Sequence, residues 1–335
     1  MARVLVVSSY PPRHCGIGAY AHGHVAKLRA EGDDVTVLSP PDGEGDIRVW
    51  FTAGKPFREA ARIGGDFDRI VVHFQPGLYF APRAPISKIA TARSLDRLVR
   101  RRPQTEILVH EADAPVRWRP DYVLLRRAFA RATLLFHTNA ERASLERAYR
   151  ISAKARIVPH AEAVEAGSIS RSEARGRLGL AMDEPLFLCA GFLHPDKAFE
   201  RAIEAWNRAG MPGRMVIVGS VRDATPANLA YRDMLRDLVA GVERLQLVED
   251  YVSDEDFDAW IAAADLLILP YRRSWSSGAL ARAQVLGTPA AVSDVGGLGE
   301  QAGPNDLVVQ TAQDLVDAIM RTAAGSPVHE AAAER

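Results

Sequence analysis

Residues 265–283 read DLLILPYRRSWSSGALARA and pass from an apolar run into an alanine-rich segment. The run DLLIL is short, continuous and rich in branched residues, as expected for a buried strand, whereas alanine and leucine favour a helix. Arginines, a tryptophan and serines lie between the two. A strand that leads through a polar loop into a helix is the βα unit, which builds an open parallel sheet when it repeats.

Apolar runs of this kind recur along both halves of the chain. They are continuous rather than alternating, which is the pattern of parallel strands covered by helices on both faces. We predict strands at 3–8, 34–39, 69–74, 106–110, 133–137 and 156–159 in the first half, and at 186–191, 214–220, 244–249, 265–269, 289–294 and 306–310 in the second. Helices are predicted between them at 19–32, 86–101, 120–131, 140–149, 197–208, 227–241, 254–263 and 312–321, with a further helix that begins around Ser276.

The alternation breaks between residues 161 and 180, which lack a strand and are rich in small residues. We interpret this segment as a linker followed by a short helix capped near Ser172, and we expect the tail 326–335 to be frayed. The sequence therefore predicts an α/β fold with two Rossmann-like domains, residues 1–165 and 166–335. Each would be a doubly wound parallel sheet, and the two would face each other across an interdomain cleft.

Composition excludes several classes of protein. The chain has 335 residues, with 42 Lys and Arg balanced by 42 Asp and Glu, and this argues against bulk attraction to nucleic acid or to an anionic membrane. The basic run Arg97–Pro103 is interpreted as the solvated end of a helix. Cys15 and Cys189 have no zinc-site spacing, so we expect buried thiols. With no signal-peptide layout and no apolar stretch of about 18 residues, we expect a cytoplasmic protein. A peripheral membrane contact stays open, without a residue pattern in its support.

Two glycines, Gly16 and Gly18, open the first helix after the first strand. A glycine-rich turn lets backbone amides approach an anionic ligand at a helix N-terminus, although such glycines can equally serve a tight turn. The full GxGxxG pattern and an acidic residue at the end of the second strand are both missing, so a dinucleotide-binding oxidoreductase is disfavoured.

Four histidines, His73, His110, His137 and His160, fall at the ends of later strands. One histidine in such a place is usually a satisfied loop residue, but four along one edge indicate a functional site. They are too scattered in sequence to predict a metal centre, and we expect no metal.

The second half places cations and helix starts at strand ends. Gly191 ends one strand and Lys197 begins the next helix, where a lysine suits a phosphate charge. The loop after DLLIL carries Arg272 and Arg273, and its helix begins at a serine cap followed by a glycine. We interpret these residues as a pyrophosphate cradle formed by Lys197, Arg272, Arg273, Ser276, Ser277 and Gly278. The alternative is a serine-capped helix with two solvated arginines.

These motifs resemble those of the retaining GT-B glycosyltransferases of family GT4. PPRHCGIGAYA is similar to the family's glycine loop, IVPHA to its VPHG, AGFLHPDKAFE to GRLxxxKG, and ALARAQVLGTPAAVSDVGGLGE to EAMAxGxPVVASDVGGxxE. The resemblance covers nearly the whole chain. It implies that Gly16 and Gly18 lie near the donor phosphate or the acceptor, His110 near the transferred sugar, and Lys197 with the amides of Ser276, Ser277 and Gly278 at the diphosphate. Glu300 matches an acidic residue whose role is left open.

The sequence departs from the family pattern at three positions. Phe192 replaces an arginine that would precede the lysine, and Arg272 or Arg273 could supply the missing cation. Ser274 and Arg282 stand where the family has a Glu-x7-Glu pair. Arg282 lies one turn after Gly278 and could reach the nucleotide, but it cannot accept hydrogen bonds from ribose hydroxyls. Ser274 could bond one sugar hydroxyl.

The resemblance implies transfer of a sugar from a nucleoside-diphosphate donor to a hydroxyl or amine, with retention at the anomeric carbon. His110, Lys197 and Arg273 would act in catalysis, and Gly191, Arg272, Ser274, Arg282 and Glu300 would help to bind the donor. The expected partners are the nucleotide sugar and a small-molecule or glycan acceptor, with neither a cofactor nor nucleic acid. Two alternatives remain, a catalytically impaired nucleotide-binding protein of the same fold and a sugar-nucleotide epimerase.

Overall fold

The computed structural model describes residues 1–80, 84–111, 116–165 and 167–325. The chain divides into two compact units, Met1–Ala163 and Val164–Arg335, and each has its own parallel sheet. The tail 326–335, which the sequence predicts to be frayed, lies outside the described residues. The predicted α/β fold with two doubly wound parallel sheets is confirmed.

The first unit contains a seven-stranded sheet with the order β3-β2-β1-β4-β5-β6-β7. The inner strand that contains Val4 to Val7 is fully buried over these residues because helices cover both faces of the sheet. The strands are β1 Arg3–Val7, β2 Asp34–Ser39, β3 Ile47–Arg48, β4 Arg69–Phe74, β5 Thr105–Val109, β6 Thr133–Phe136 and β7 Lys154–Ile157. The helices are α1 Gly16–Ala30, α2 Lys55–Ile63, α3 Pro76–Tyr79, α4 Pro85–Arg101, α5 Pro120–Arg131 and α6 Asn139–Tyr149.

Three of these elements, β3, α2 and α3, were not predicted. Strand β3 has two residues and α3 has four, which is too short for a periodic pattern. Helix α2 follows a glycine in the left-handed region, Gly54 with φ 72°, and buries Phe57 as its one large apolar side chain. Such a helix is stabilised by its packing on the rest of the unit rather than by local sequence signals.

The second unit contains a six-stranded sheet with the order β10-β9-β8-β11-β12-β13. The strands are β8 Leu186–Ala190, β9 Arg214–Val218, β10 Leu245–Val248, β11 Leu266–Leu269, β12 Ala290–Ser293 and β13 Leu307–Val309. The helices are α7 Arg171–Leu178, α8 Phe199–Arg208, α9 Pro226–Val239, α10 Asp254–Ala263, α11 Gly278–Leu286, α12 Leu298–Gln301 and α13 Ala312–Ala323. Strands β8 and β11 are neighbours, so the loops that follow them meet at the same edge of the sheet.

The linker helix α7 is capped by Ser170, two residues before Ser172, near which the cap was predicted. The Ser170 side chain accepts from the Glu173 amide, and the Glu173 carboxylate accepts from the Ser170 amide. This reciprocal capping box needs a serine and a glutamate three residues apart, and only Ser170 has that spacing. The helix is anchored by the buried Arg175, whose guanidinium lies 2.7 Å from Asp265.

Among the described residues, no helix combines the length and apolar character that crossing a bilayer requires.

Candidate active site

The loop after β8 places Lys197 ahead of α8. Gly191 directly follows the strand with φ +136°, a conformation that residues with side chains rarely adopt. A single turn of 3₁₀ helix, Pro195–Lys197, follows, and α8 begins at Phe199. The predicted helix start at Lys197 was therefore two residues too early, and Lys197 lies in the loop at the sheet edge, before α8.

The aromatic ring of Tyr271 packs against the ammonium group of Lys197. The Nζ atom lies 3.7 Å from the centroid of the Tyr271 ring, a close cation–π contact. Lys197 is half-buried and forms no ion pair with a carboxylate of the described residues. Tyr271 is fully buried, and its hydroxyl has no hydrogen-bond partner there. The Lys197 ammonium group is therefore positioned by the Tyr271 ring but not neutralised by a carboxylate of the described residues, so it is available to a phosphate. Tyr271 was not predicted as a site residue, although its place directly after β11 and Pro270 was a usable signal.

The two loop arginines are exposed, and both pair with the turn Pro195–Lys197, here called the Lys197 turn, or with the start of α8. The Arg273 guanidinium donates to Asp196 at 2.8 Å, and this hydrogen bond lowers the pKa of the aspartate. Arg272 donates to the Pro195 carbonyl at 2.8 Å and pairs with Glu200. Both arginines therefore connect the loop after β11 to the segment around Lys197.

Helix α11, which follows the loop after β11, has an open N-terminus, that is, one with unpaired backbone amides. The Ser277 hydroxyl accepts from the Leu280 amide at 3.3 Å, and the Gln301 side chain bonds both the amide and the carbonyl of Ser277 at 2.8 Å. The amides of Gly278 and Ala279 have no acceptor among the described residues, and Gly278 is exposed. Two unpaired amides at a helix N-terminus form an anion site. Gln301, which shapes this terminus, was not predicted.

The loop between β11 and α11 packs tightly on the glycine pair after β12. A Cβ atom on Gly296 would lie 1.8 Å from the Ser274 carbonyl oxygen, so only glycine fits there. The Gly297 amide donates to the Trp275 carbonyl at 3.0 Å. The Ser274 hydroxyl donates to the Ser276 carbonyl at 2.9 Å. Glu300 is exposed on the short helix α12 that follows.

Arg282 faces α10 and not the open end of α11. Its guanidinium donates to Asp258 at 2.5 Å and to Asp254 at 2.8 Å, and only 13% of its side chain is exposed. The pair with Asp258 is almost completely buried. Arg282 therefore joins two helices, and the sequence-based idea that it reaches the nucleotide receives no support from this orientation.

Restoring the family's glutamate at this position should destabilise the second unit. Arg282→Glu would place a third carboxylate against Asp254 and Asp258, and loss of a buried partner costs about 3–5 kcal/mol. We expect urea unfolding to show this loss in the free energy of unfolding. Adding Asp258→Asn should recover part of it, and a variant as stable as the parent protein would show that the ion pair is dispensable.

The first unit gathers five histidines around Tyr20 of α1. The ring centroids of His24, His73, His110, His137 and His160 lie 4.9–6.1 Å from that of Tyr20. They come from α1, from strand β4 and from the segments after β5, β6 and β7, which share one sheet edge. The prediction that His73, His110, His137 and His160 line one edge is confirmed, and Tyr20 and His24 complete the set. We call these six residues the histidine cluster.

Hydrogen bonds link three members of the histidine cluster in a chain. His24 Nδ1 lies 3.0 Å from His73 Nε2, and His73 Nδ1 lies 3.3 Å from His110 Nε2. A neutral His73 carries one ring proton, so it can donate to only one neighbour and must accept from the other. If it donates to His110, the proton of His110 is on Nδ1, and if it donates to His24, His110 Nδ1 is a bare acceptor. The chain thus sets what His110 presents to a ligand.

Three polar atoms of the cluster have no partner among the described residues. These are the Tyr20 hydroxyl, His137 Nε2 and His160 Nδ1. The rings of His137 and His160 stack with centroids 4.3 Å apart, and both meet the Tyr20 ring edge to face. Buried polar groups are normally hydrogen-bonded, so this corner suits a hydroxyl-bearing ligand.

Burial keeps the cluster uncharged. It lowers the pKa of His24 and His137 to about 4, and it lowers the pKa values of His73, His110 and His160 as well. Arg69 and Lys27 lower the pKa of His24 further. Burial also raises the pKa of the Tyr20 hydroxyl.

The first unit should therefore lose stability as the pH falls below about 6.5. A histidine with a depressed pKa contributes stability that is complete above its unfolded pKa of about 6.5 and is lost as the pH falls towards 4. We expect His24 and His137 each to lose about 2 kcal/mol of this stability by pH 5. Thermal unfolding between pH 7.5 and 5 measures it, with His24→Gln expected to be less acid-sensitive. The exposed His22→Gln is the control, and equal acid sensitivity of the two variants would contradict the account.

The glycines of the first helix differ in their surroundings. Gly18 is buried, and a Cβ atom there would lie 3.4 Å from the Ser9 hydroxyl and 3.5 Å from the Tyr10 amide. Gly16 faces open space and begins α1, whose preceding residue Cys15 provides no side-chain cap.

Among the residues that the structure describes, no group of three or more His, Cys, Asp or Glu side chains is arranged to hold a metal ion.

The chain is similar in sequence to known glycosyltransferases. Residues 184–324 match the family described as glycosyl transferases group 1. The D-inositol 3-phosphate glycosyltransferase of Xylanimonas cellulosilytica is 26% identical over 260 residues, which is 74% of this chain and 60% of that protein. The chain thus spans about three fifths of that relative's length.

Two solved structures share the whole fold. Sucrose-phosphate synthase from Thermosynechococcus elongatus superposes with a TM-score of 0.72 at 18% identity, over 100% of this chain and 94% of that one. Anabaena HepE in complex with UDP-glucose gives 0.67 at 16% identity, over 100% and 95%. The protein has the GT-B fold, and its second unit contains a glycosyl transferases group 1 domain.

Proposed function

We propose that the protein is a glycosyltransferase that moves a sugar from a nucleoside-diphosphate donor to a hydroxyl or amine of an acceptor, with retention at the anomeric carbon. The observation that carries the proposal is the Lys197 ammonium, held on the Tyr271 ring without a carboxylate partner among the described residues. It lies in the loop after β8, next to the loop that leads into the open N-terminus of α11.

The chemical demand is to stabilise a diphosphate leaving group. As the bond between the anomeric carbon and the β-phosphate oxygen breaks, negative charge grows on the diphosphate and the sugar becomes oxocarbenium-like. Lys197 and the amides of Gly278 and Ala279 supply fixed positive charge where this negative charge develops. Arg272 and Arg273 act one step away, because they hold the Lys197 turn through Asp196, Pro195 and Glu200.

Retention is proposed through reaction on one face of the sugar. The acceptor oxygen bonds to the anomeric carbon on the side from which the diphosphate leaves, and the acceptor proton passes to the departing phosphate oxygen. This route needs no carboxylate nucleophile. A neutral His110 would bond a hydroxyl of the transferred sugar through its Nδ1 atom.

The acceptor is proposed to bind in the first unit. The unpartnered atoms of Tyr20, His137 and His160 suit a ligand rich in hydroxyl groups. The Xylanimonas relative is a D-inositol 3-phosphate glycosyltransferase, and D-inositol 3-phosphate is therefore the first acceptor to test. HepE was solved with UDP-glucose, which makes UDP the first nucleotide to test.

A second candidate is a nucleotide-binding protein that has lost turnover. Ser274 and Arg282 stand where the GT4 pattern has two glutamates, and this favours the second candidate. Arg282 is paired with α10, and the Ser274 hydroxyl donates to a backbone carbonyl. Binding of a nucleoside diphosphate without sugar release would identify this case. Product formed without any acceptor would identify an epimerase.

A thermal-shift panel with UDP, GDP, ADP, dTDP and NAD, with and without magnesium, tests the proposal. A ligand at about 100 times its Kd stabilises the folded state by ~2.7 kcal/mol, which is readily seen. We expect one nucleoside diphosphate to shift the unfolding temperature without magnesium, and turnover of the matching sugar nucleotide to follow. No shift with any diphosphate, or a shift with NAD alone, would refute the proposal.

A further inference from the structure

The two units carry opposite charge, although the whole chain is neutral. Residues 1–163 contain 26 Lys and Arg against 17 Asp and Glu, whereas residues 164–335 contain 16 against 25. The first unit therefore has a formal charge of +9 and the second of −9. Such an asymmetry between halves indicates that the basic unit meets an anionic partner.

Part of the basic excess lies on one exposed face of α4. Arg93, Arg97 and Arg101 follow each other at intervals of four residues, so they form one row along the helix. All three are exposed, and none forms an ion pair within the described residues. Together with Arg100 they line a single depression. We call these four residues the arginine face.

The arginine face is destabilising on its own and needs counter-charge. Like charges four residues apart on a helix repel each other. Of the four, Arg100 alone has a carboxylate partner in the part of the chain that the structure describes, the buried Asp96 at 3.2 Å. Arginine forks match phosphate oxygens in a bidentate way, so rows of unpaired arginines suit phosphate groups that lie side by side.

Exposed apolar side chains accompany these arginines. Ile86 in the first turn of α4 is 84% exposed, and Trp118 shortly before α5 is 85% exposed. Ile86 lies on α4 itself, seven residues before Arg93, and Trp118 lies two residues before α5, the helix that packs against α4. Tryptophan and aliphatic side chains beside basic residues are typical of a surface that rests in the headgroup region of a bilayer. A nucleic acid would use the arginines but would leave Ile86 without a role.

We propose that the α4–α5 layer docks on the surface of an anionic phospholipid bilayer. The arginine face binds lipid phosphates, and Ile86 and Trp118 enter the interfacial region. The other side of α4 stays packed in the core, where Leu95, Leu98 and Val99 are buried, so docking requires no unfolding of the helix. This inference goes beyond the proposed function, because it concerns a surface that takes no part in sugar transfer.

Sedimentation with vesicles tests the proposal without any activity assay. The full chain is mixed with vesicles of phosphatidylcholine alone or of phosphatidylcholine with phosphatidylserine. We expect binding only to the anionic vesicles, and we expect added salt to weaken it. Equal binding to both kinds of vesicle, or binding to neither, would overturn the proposal.

Variants locate the surface. Each basic residue near an anionic membrane is worth about fivefold in binding, so R93Q/R97Q/R101Q should reduce it by about a hundredfold. The control R48Q/R147Q/K154Q removes the same charge from exposed positions elsewhere on the unit and should reduce binding much less. Trp118→Ser should weaken binding at high salt, where the apolar contact dominates. Equal losses in the two triple variants, or a preference for RNA over anionic vesicles in a competition experiment, would contradict the assignment.

Discussion

Replacing Lys197 with alanine should lower kcat/KM for sugar transfer by about 10³-fold. The ammonium group faces no carboxylate of the described residues, so its electrostatic effect is free to act on a leaving diphosphate. Its loss removes positive charge at the place where the transition state gains negative charge. Steady-state kinetics with the donor identified by thermal shift measures the effect.

The fold should survive this change. Lys197 is half-buried in a loop and contributes one cation–π contact. The matched control is Arg201→Ala, which removes an exposed cation from the first turn of α8. We expect the control to keep near-normal activity and both variants to unfold at nearly the parent temperature. Activity retained by Lys197→Ala, or lost equally in the control, would remove Lys197 from the proposed site.

Changes at His73 should affect transfer although this residue is fully buried. His110→Phe removes the group that would contact the sugar, and we expect a loss of about 10²–10³ in kcat. His73→Asn keeps a polar atom near the position of Nδ1, which faces His110, whereas His73→Gln keeps one near Nε2, which faces His24. If His73 positions the proton of His110, His73→Asn should retain more activity than His73→Gln.

A purely structural role would not give this order. Both amides fill part of the imidazole space, so both variants should be destabilised by similar amounts in urea unfolding. The decisive readout is kcat together with the ¹⁵N shifts of His110, which report the ring nitrogen that carries the proton. Equal kcat values for the two variants, with unchanged His110 shifts, would exclude the hydrogen-bond chain from the mechanism.

The sequence was informative where local pattern determines structure. Continuous apolar runs correctly predicted twelve of the strands, because parallel strands buried on both faces need such runs. The serine and glycine at residues 277 and 278 likewise marked the start of α11. The same local signals were absent for the two-residue strand β3 and for the weakly apolar helix α2.

Side-chain partners were beyond the sequence because they depend on tertiary packing. Asp196 and Arg273 are 77 residues apart, so the pairing that turns an apparent phosphate cation into a support for Lys197 leaves no local trace. Arg282 was placed one turn from Gly278 correctly, but its direction depends on Asp258 of the neighbouring helix. The convergence of five histidines on Tyr20 follows from strand order, which had not been predicted.

A crystal structure with the nucleoside diphosphate that gives the largest thermal shift tests the central claim most directly. We expect the β-phosphate within hydrogen-bond distance of Lys197 Nζ and of the amides of Gly278 and Ala279, with Arg272 and Arg273 still bound to the Lys197 turn. A diphosphate bound elsewhere, with Lys197 still resting on Tyr271 and the start of α11 empty, would contradict it.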